Sequence, residues 1–164
     1  MDTNTNSQSS PFFRSIANIL RKNTWLGIPL HGLIRLSRPK YTMGAVGVLF
    51  NSQGQVLLVE HVFHPKTPWG LPGGWVNRRE DPTQTVVREL YEELSMRVTI
   101  DRIIALNTAS RFGNHIDLAY LCQTTDTIVQ LSNELLAYGW YDPDNMPRVL
   151  KFHYLAIQQA RQWI

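Results

Sequence analysis

The stretch Gly73–Met96, GGWVNRREDPTQTVVRELYEELSM, decides how this chain is read. Asp81 is a good N-cap residue and Pro82 suits the first helical turn, so the spacing predicts a helix opening there. Within it Val86, Leu90 and Leu94 recur every four residues as a stripe for burial, flanked by Val87 and Tyr91. The same helix carries Arg88, Glu89, Glu92 and Glu93, and residues three and four apart are neighbours on a helix surface. Three carboxylates on one face repel unless something neutralises them. A hard divalent cation would do so, because magnesium favours oxygen ligands and typically binds through one or two carboxylates plus substrate phosphates. A phosphate ester or anhydride is then the natural substrate, and Arg88 offers a planar fork suited to a carboxylate or phosphate.

Upstream, the first ten residues, MDTNTNSQSS, are polar without apolar periodicity and read as a disordered tail. Ser10 and Pro11 then open an amphipathic helix in which Phe12, Phe13, Ile16, Ile19 and Leu20 recur through Lys22. The apolar piece from Trp25 to Leu36 contains Gly27, Pro29 and Gly32 and is shorter than the ~20 apolar residues that cross a bilayer. Residues 11–40 therefore read as a basic amphipathic helical extension. Packing on the domain's own surface, a homodimer contact and contact with an anionic membrane surface all remain open for it.

The net charge of +3 conceals an asymmetry. Residues 1–40 hold Arg14, Arg21, Lys22, Arg35, Arg38 and Lys40 against Asp2 alone, whereas the remaining 124 residues hold ten basic and twelve acidic side chains. A nucleic-acid footprint could thus apply at most to the N-terminal arm, and the main body is not expected to bind nucleic acid. The single cysteine, Cys122 in IDLAYLCQ, reads as a small core residue, and with no signal peptide the expected location is the cytoplasm. A length of 164 residues suits one domain that needs no disulfide or structural metal to fold.

From Tyr41 the pattern turns to β. Met43–Phe50 and Gln55–Val62 are Val-rich runs around Asn51-Ser52-Gln53-Gly54 and read as a hairpin. The loop HVFHPKTPWGLPGG follows, too rich in proline and glycine for a helix. His61 and His64 bracket Val62-Phe63 without the spacing of a zinc site and mark a strand end. Beyond the acidic helix, 97–109 and 116–124 read as strands around the loop 110–115. Leu136–Tyr141 reads as another strand, and a closing helix covers about Leu150 to Ile164. Asp142 and Asp144 read as caps of the turn before that helix.

Gly74, five residues, Glu80, seven residues, then Arg88-Glu89-Leu90-x-Glu92-Glu93-x-Ser95-Met96 resembles the Nudix box, which has glycine where Ser95 stands. The likeness extends to the preceding LPGG, the strand order and the late WYDPDNMP, covering residues 41–164 as one Nudix hydrolase domain. It implies an α/β/α sandwich with a mixed β-sheet. It also implies a Mg²⁺-dependent hydrolase, with Mn²⁺ as an alternative ion, cleaving the pyrophosphate bond of a small nucleotide-type substrate, a nucleoside diphosphate linked to another moiety. A nucleoside triphosphate or RNA 5′-end pyrophosphohydrolase, and a non-catalytic nucleotide-sensing module, are the alternatives.

By the resemblance Glu89, Glu92 and Glu93 are metal ligands together with the backbone carbonyl of Gly73, Arg88 orients a box carboxylate, and Glu80 pairs with Arg88. The general base is either a box glutamate or a carboxylate on a distant loop, for which Glu134 is placed suitably. Trp69, Trp75, Phe112 and His115 could stack on a base or sugar, and Arg111 could hold a phosphate. Ser95 removes no ligand; in a left-handed cap it would cost about 1 kcal/mol relative to glycine.

Overall fold

The computed structural model describes residues 10–22, 36–108 and 113–164. The chain divides into two compact units, residues 1–40 and 41–164. In the first, helix α1 spans Pro11–Lys22, beginning at the proline whose fixed φ suits a first helical turn. The expectations for the polar tail and for Trp25–Leu36 lie outside the described residues, apart from Ser10 and Leu36. Among the described residues no helix is long and apolar enough to cross a membrane.

The second unit runs β1 (Thr42–Leu49), β2 (Val56–His61), β3 (Trp69–Gly70), β4 (Gly73–Trp75), α2 (Pro82–Leu94), β5 (Thr99–Asn107), β6 (His115–Gln123), β7 (Leu135–Tyr141) and α3 (Lys151–Ala160), closed by a 3₁₀ turn at Arg161–Trp163. Four strands form a mixed sheet in the order β4-β1-β6-β5, in which β1 runs parallel to β6 and antiparallel to β4. Three more form an antiparallel sheet, β3-β2-β7.

Alternation along the strands explains the layering. Ala45, Leu49, Leu57 and Val59 face one core with Val86, Leu90 and Leu94 of α2. Their neighbours Val48, Val56 and Leu58 face a second core with Ala156, Ile157 and Ala160 of α3. Successive side chains of a strand point to opposite faces, so β1 and β2 each serve both cores. The result is the α/β/α arrangement with a mixed sheet.

Two local expectations change. Asn51–Gly54 does turn the chain, with the Gly54 N–H donating to the Asn51 carbonyl at 3.0 Å, but β1 and β2 do not form a hairpin ladder. They share a single bridge, Phe50 to Val56, and then diverge into different sheets. The long runs of Val and Leu are compatible with either arrangement, because each strand is covered on both faces. The loop after β2 also contains the short strands β3 and β4, whose pairing to β2 and β1 is set by register rather than by any apolar pattern of their own.

An acidic cavity built on one helix

Helix α2 holds its place through its apolar stripe. Val86, Leu90 and Leu94 are fully buried, each contributing about 1.5–3 kcal/mol, which outweighs the ~0.2–0.5 kcal/mol by which a like-charged surface pair destabilises a helix. Val87 and Tyr91, expected beside that stripe, are exposed. Asp81 caps the N-terminus, accepting from the Thr83 N–H at 2.8 Å, and Gln84 completes a capping box. At the other end Ser95 adopts φ 53°, ψ 32°, the left-handed conformation expected for the position where the box has glycine. Its N–H donates to the Tyr91 carbonyl at 2.9 Å, the bond of an αL closure, and that of the buried Met96 donates to the Leu90 carbonyl at 3.3 Å.

Arg88 organises the polar face. Its Nε and Nη2 donate to the two oxygens of Glu80 at 2.8 and 3.1 Å, while Nη1 donates to Glu89 at 2.9 Å and to Glu92 at 3.0 Å. Hydrogen bonds from Arg88, then the Asn77 N–H, hold the Glu80 carboxyl down at about 2, and the same ion pairs raise the Arg88 guanidinium above its usual value. The Asn77 N–H and Thr85 Oγ1 each reach Glu80 at 2.9 Å, so Glu80 ties the turn before α2 to the helix itself.

Glu93 lies deeper, with only 5% of its surface exposed. It accepts the Gly73 N–H at 3.1 Å. Desolvation, opposed by that hydrogen bond and reinforced by the charges of Glu89, Glu134 and Glu92, pushes its carboxyl up to about 8. Burial also raises Glu89, against the pull of Arg88.

The glycines are needed for steric reasons. Gly73 has φ +144°, and a Cβ there would collide with the Ala45 carbonyl and Val46 of β1; a Cβ on Gly74 would run into the Glu89 carboxylate. The requirement at Gly73 thus arises from the β1 backbone beside it. The loop is held from elsewhere as well. The Pro72 carbonyl accepts the Gly47 N–H at 2.9 Å, and the Leu71 N–H donates to Nδ1 of His153, on α3, at 3.1 Å.

Arg88, Glu89, Glu92 and Glu93 line a cavity of about 470 Å³ together with Ser132, Asn133 and Glu134. The 131–134 loop is fastened there by the Ser132 N–H, which donates to the Glu93 carbonyl at 2.9 Å, and by Ser132 Oγ, which accepts from the Glu134 N–H at 3.3 Å. Glu134, far from the box in sequence, thus shares its cavity. Ser132 and His153 had no signal in the sequence, since both act on backbone groups distant along the chain.

Among the described residues no three acidic, imidazole or thiol side chains close on a single point. Glu89 and Glu92 turn toward Arg88, and Glu93 toward Gly73. A set of oxygen donors around a buried carboxylate still fits a hard divalent ion, which commonly takes one or two protein carboxylates and completes its shell with phosphate and water.

The residues expected to meet the rest of a substrate divide. Trp75 on β4 is 55% exposed and its carbonyl accepts from Arg88 Nη2 at 3.4 Å. Its indole stands edge-on to His115, 4.8 Å between ring centroids. His115 is buried, joined to Thr42 Oγ1 at 2.8 Å and to Asp117 at 3.0 Å, and Asn107 donates to Asp117 at 3.2 Å. Register places Trp75, Gly44, Asp117 and Asn107 in one row across the sheet. Trp69 is not brought to the cavity; it packs edge-on against Tyr141, 5.2 Å away, beside the second core. Arg111 and Phe112 lie outside the described residues. Cys122 is buried, its thiol pushed up to about 12 by desolvation, and Asp144 pairs with Arg161 at 2.8 Å.

Known proteins share this fold. A "MutT-like protein" of Streptomyces ambofaciens is 27% identical over 110 residues, 67% of this chain and 70% of the relative. An ADP-ribose pyrophosphatase from Streptococcus suis superposes with a TM-score of 0.61 at 24% identity, over 73% of this chain and 87% of that one. A MutT NUDIX hydrolase from Burkholderia pseudomallei gives 0.64 at 23% identity, over 74% and 98%. The family model of the NUDIX domain matches residues 40–162, and the chain belongs to that family as a Nudix-type pyrophosphohydrolase.

Proposed function

We propose that the chain hydrolyses the pyrophosphate bond of a nucleoside diphosphate linked to another moiety, with Mg²⁺ as its ion. The observation that carries this reading is the adjacency of two chemically different surfaces. The carboxylate cavity is lined by Arg88, and Arg88 also touches the backbone of Trp75, whose exposed indole stands beside the His115–Asp117–Asn107 row. An anhydride can lie in the first while a planar ring stacks on the second, with polar groups at its edge. The Streptococcus suis neighbour, described as an ADP-ribose pyrophosphatase, acts on a substrate of this class.

Glu89, Glu92 and Glu93 are the proposed ligands, joined by the Gly73 carbonyl. A divalent cation bound there would neutralise phosphate oxygens and make water a better nucleophile. Glu134 is the proposed base. It accepts the proton of the attacking water as the new bond to phosphorus forms and the bridging P–O bond breaks, releasing two phosphate-bearing products. Arg88 holds Glu89 and Glu92 in position against their mutual repulsion. A panel of nucleotide sugars, dinucleotide pyrophosphates and nucleoside triphosphates, incubated with Mg²⁺ or Mn²⁺, tests the assignment. Faster turnover of a triphosphate than of every linked diphosphate would replace the proposed substrate class.

A further inference from the structure

Leu71 and Pro72 carry the chain from β3, in the antiparallel sheet, to β4, in the mixed one. Backbone groups at such a crossing leave the strand ladders, and a buried N–H or C=O still requires a partner. Leu71 is 1% exposed, and its N–H donates to Nδ1 of His153 at 3.1 Å. Its carbonyl meets a second imidazole. The Leu71 backbone makes a hydrogen bond to His61, at the end of β2, that favours the proton on that ring, as a carbonyl acceptor does. A neutral imidazole has one donor and one acceptor nitrogen, so two rings serve the two sides of one residue, His153 as acceptor and His61 as donor. Desolvation lowers both to about 4, which keeps them neutral near pH 7. Gly70 lets the His153 ring approach the backbone, since a Cβ there would lie 3.0 Å from its Nδ1 and Cε1.

The crossing ends at Gly73, whose N–H donates to Glu93 at 3.1 Å, and the Pro72 carbonyl before it accepts the Gly47 N–H at 2.9 Å. Bonds to His61, His153, Gly47 and Glu93 thus follow one another along Leu71-Pro72-Gly73. The end of β2 also supports the loop that carries Glu134. One residue after His61, the Val62 N–H donates to the Glu134 carbonyl at 3.0 Å. We propose that His153 and His61 are positioning residues for the hydrolytic site, clamping Leu71 so that the Gly73 peptide holds Glu93 and can offer its carbonyl to the cation. The role toward the cation rests on the ligand set proposed above, whereas the clamp is a property of the metal-free chain. Groups that orient a metal ligand from behind typically alter affinity by about 10–100-fold when removed.

The test compares His153→Phe, which keeps a ring of similar size without the acceptor, with His153→Asn, whose Oδ1 is bonded to Cγ as Nδ1 is. In the metal-free full chain, amide exchange of Gly73 followed by NMR should be about tenfold faster in His153→Phe and close to the parent in His153→Asn, with exchange along α2 unchanged in both. Mn²⁺ affinity by calorimetry should weaken about tenfold in the first and recover to within about threefold of the parent in the second. His61→Phe should act in the same direction. Combining it with His153→Phe should cost less than the product of the separate effects, because both rings hold one residue. Parental Gly73 exchange in His153→Phe would overturn the proposal. So would His153→Asn behaving like His153→Phe, since packing of the ring rather than its acceptor would then matter. Faster Gly73 exchange with parental Mn²⁺ affinity would uphold the clamp and remove the Gly73 carbonyl from the ligand set.

Discussion

Ser95 shows how much one side chain in a left-handed cap matters and how little it need affect chemistry. Its φ of 53° carries a steric penalty that glycine avoids. Ser95→Gly should therefore raise stability by about 1 kcal/mol in urea unfolding, with unchanged turnover, because no oxygen of the cavity is removed. Glu93 presents the opposite case. Its carboxyl is buried and accepts one N–H, so Glu93→Gln retains that bond while removing the group's ability to ionise against a cation. Turnover should drop by roughly 10²-fold or more, with a melting temperature at least equal to that of the parent, since the amide requires less desolvation. Equal turnover would remove Glu93 from the proposed ligands. Gly74 is constrained by contact: Gly74→Ala places a methyl group against the Glu89 carboxylate. Displacing Glu89, one of the proposed ligands, should lower turnover by roughly 10²-fold without loss of helical signal in circular dichroism.

At the scale of elements, α2 was legible because its signals are local. Cap, proline, apolar stripe and box all lie within a few turns of one another, and the clamp from Arg88 to Glu80 spans only eight residues. The loop before it was not legible, because its supports come from β1 and from α3. His153 accepts the Leu71 N–H and stands near His61 and His64; desolvation together with the neighbouring imidazoles lowers both His153 and His61 to about 4. These groups are neutral when folded and take up protons near their ordinary value when unfolded. Their contribution is therefore fully present above about pH 6.5 and is lost as pH falls toward 4, with a slope of up to about 1.4 kcal/mol per pH unit for each histidine. Glu93, raised to about 8, has the opposite sign over part of that range, so the comparison is made with His153→Gln. That variant should flatten the acid limb of stability against pH by close to one proton. An unchanged slope would mean that His153 titrates normally in the folded state.

At the scale of the whole molecule, the division into two compact units leads us to expect that residues 41–164 fold without the N-terminal segment. A fragment beginning at Tyr41 should unfold cooperatively and hydrolyse a soluble pyrophosphate substrate at about the rate of the full chain; loss of folding would tie the core to residues 1–40. Residue order alone determined the fold class, the acidic helix and its polarity, because capping, helical periodicity and the box act within short distances along the chain. Tertiary structure decided that β1 and β2 separate after one bridge, that Trp69 packs beside Tyr141, and that Glu134 enters the cavity through Ser132. Those outcomes depend on which backbone groups meet across the fold, and hydrogen bonds to a carbonyl or N–H dozens of residues away leave no pattern in the order of side chains.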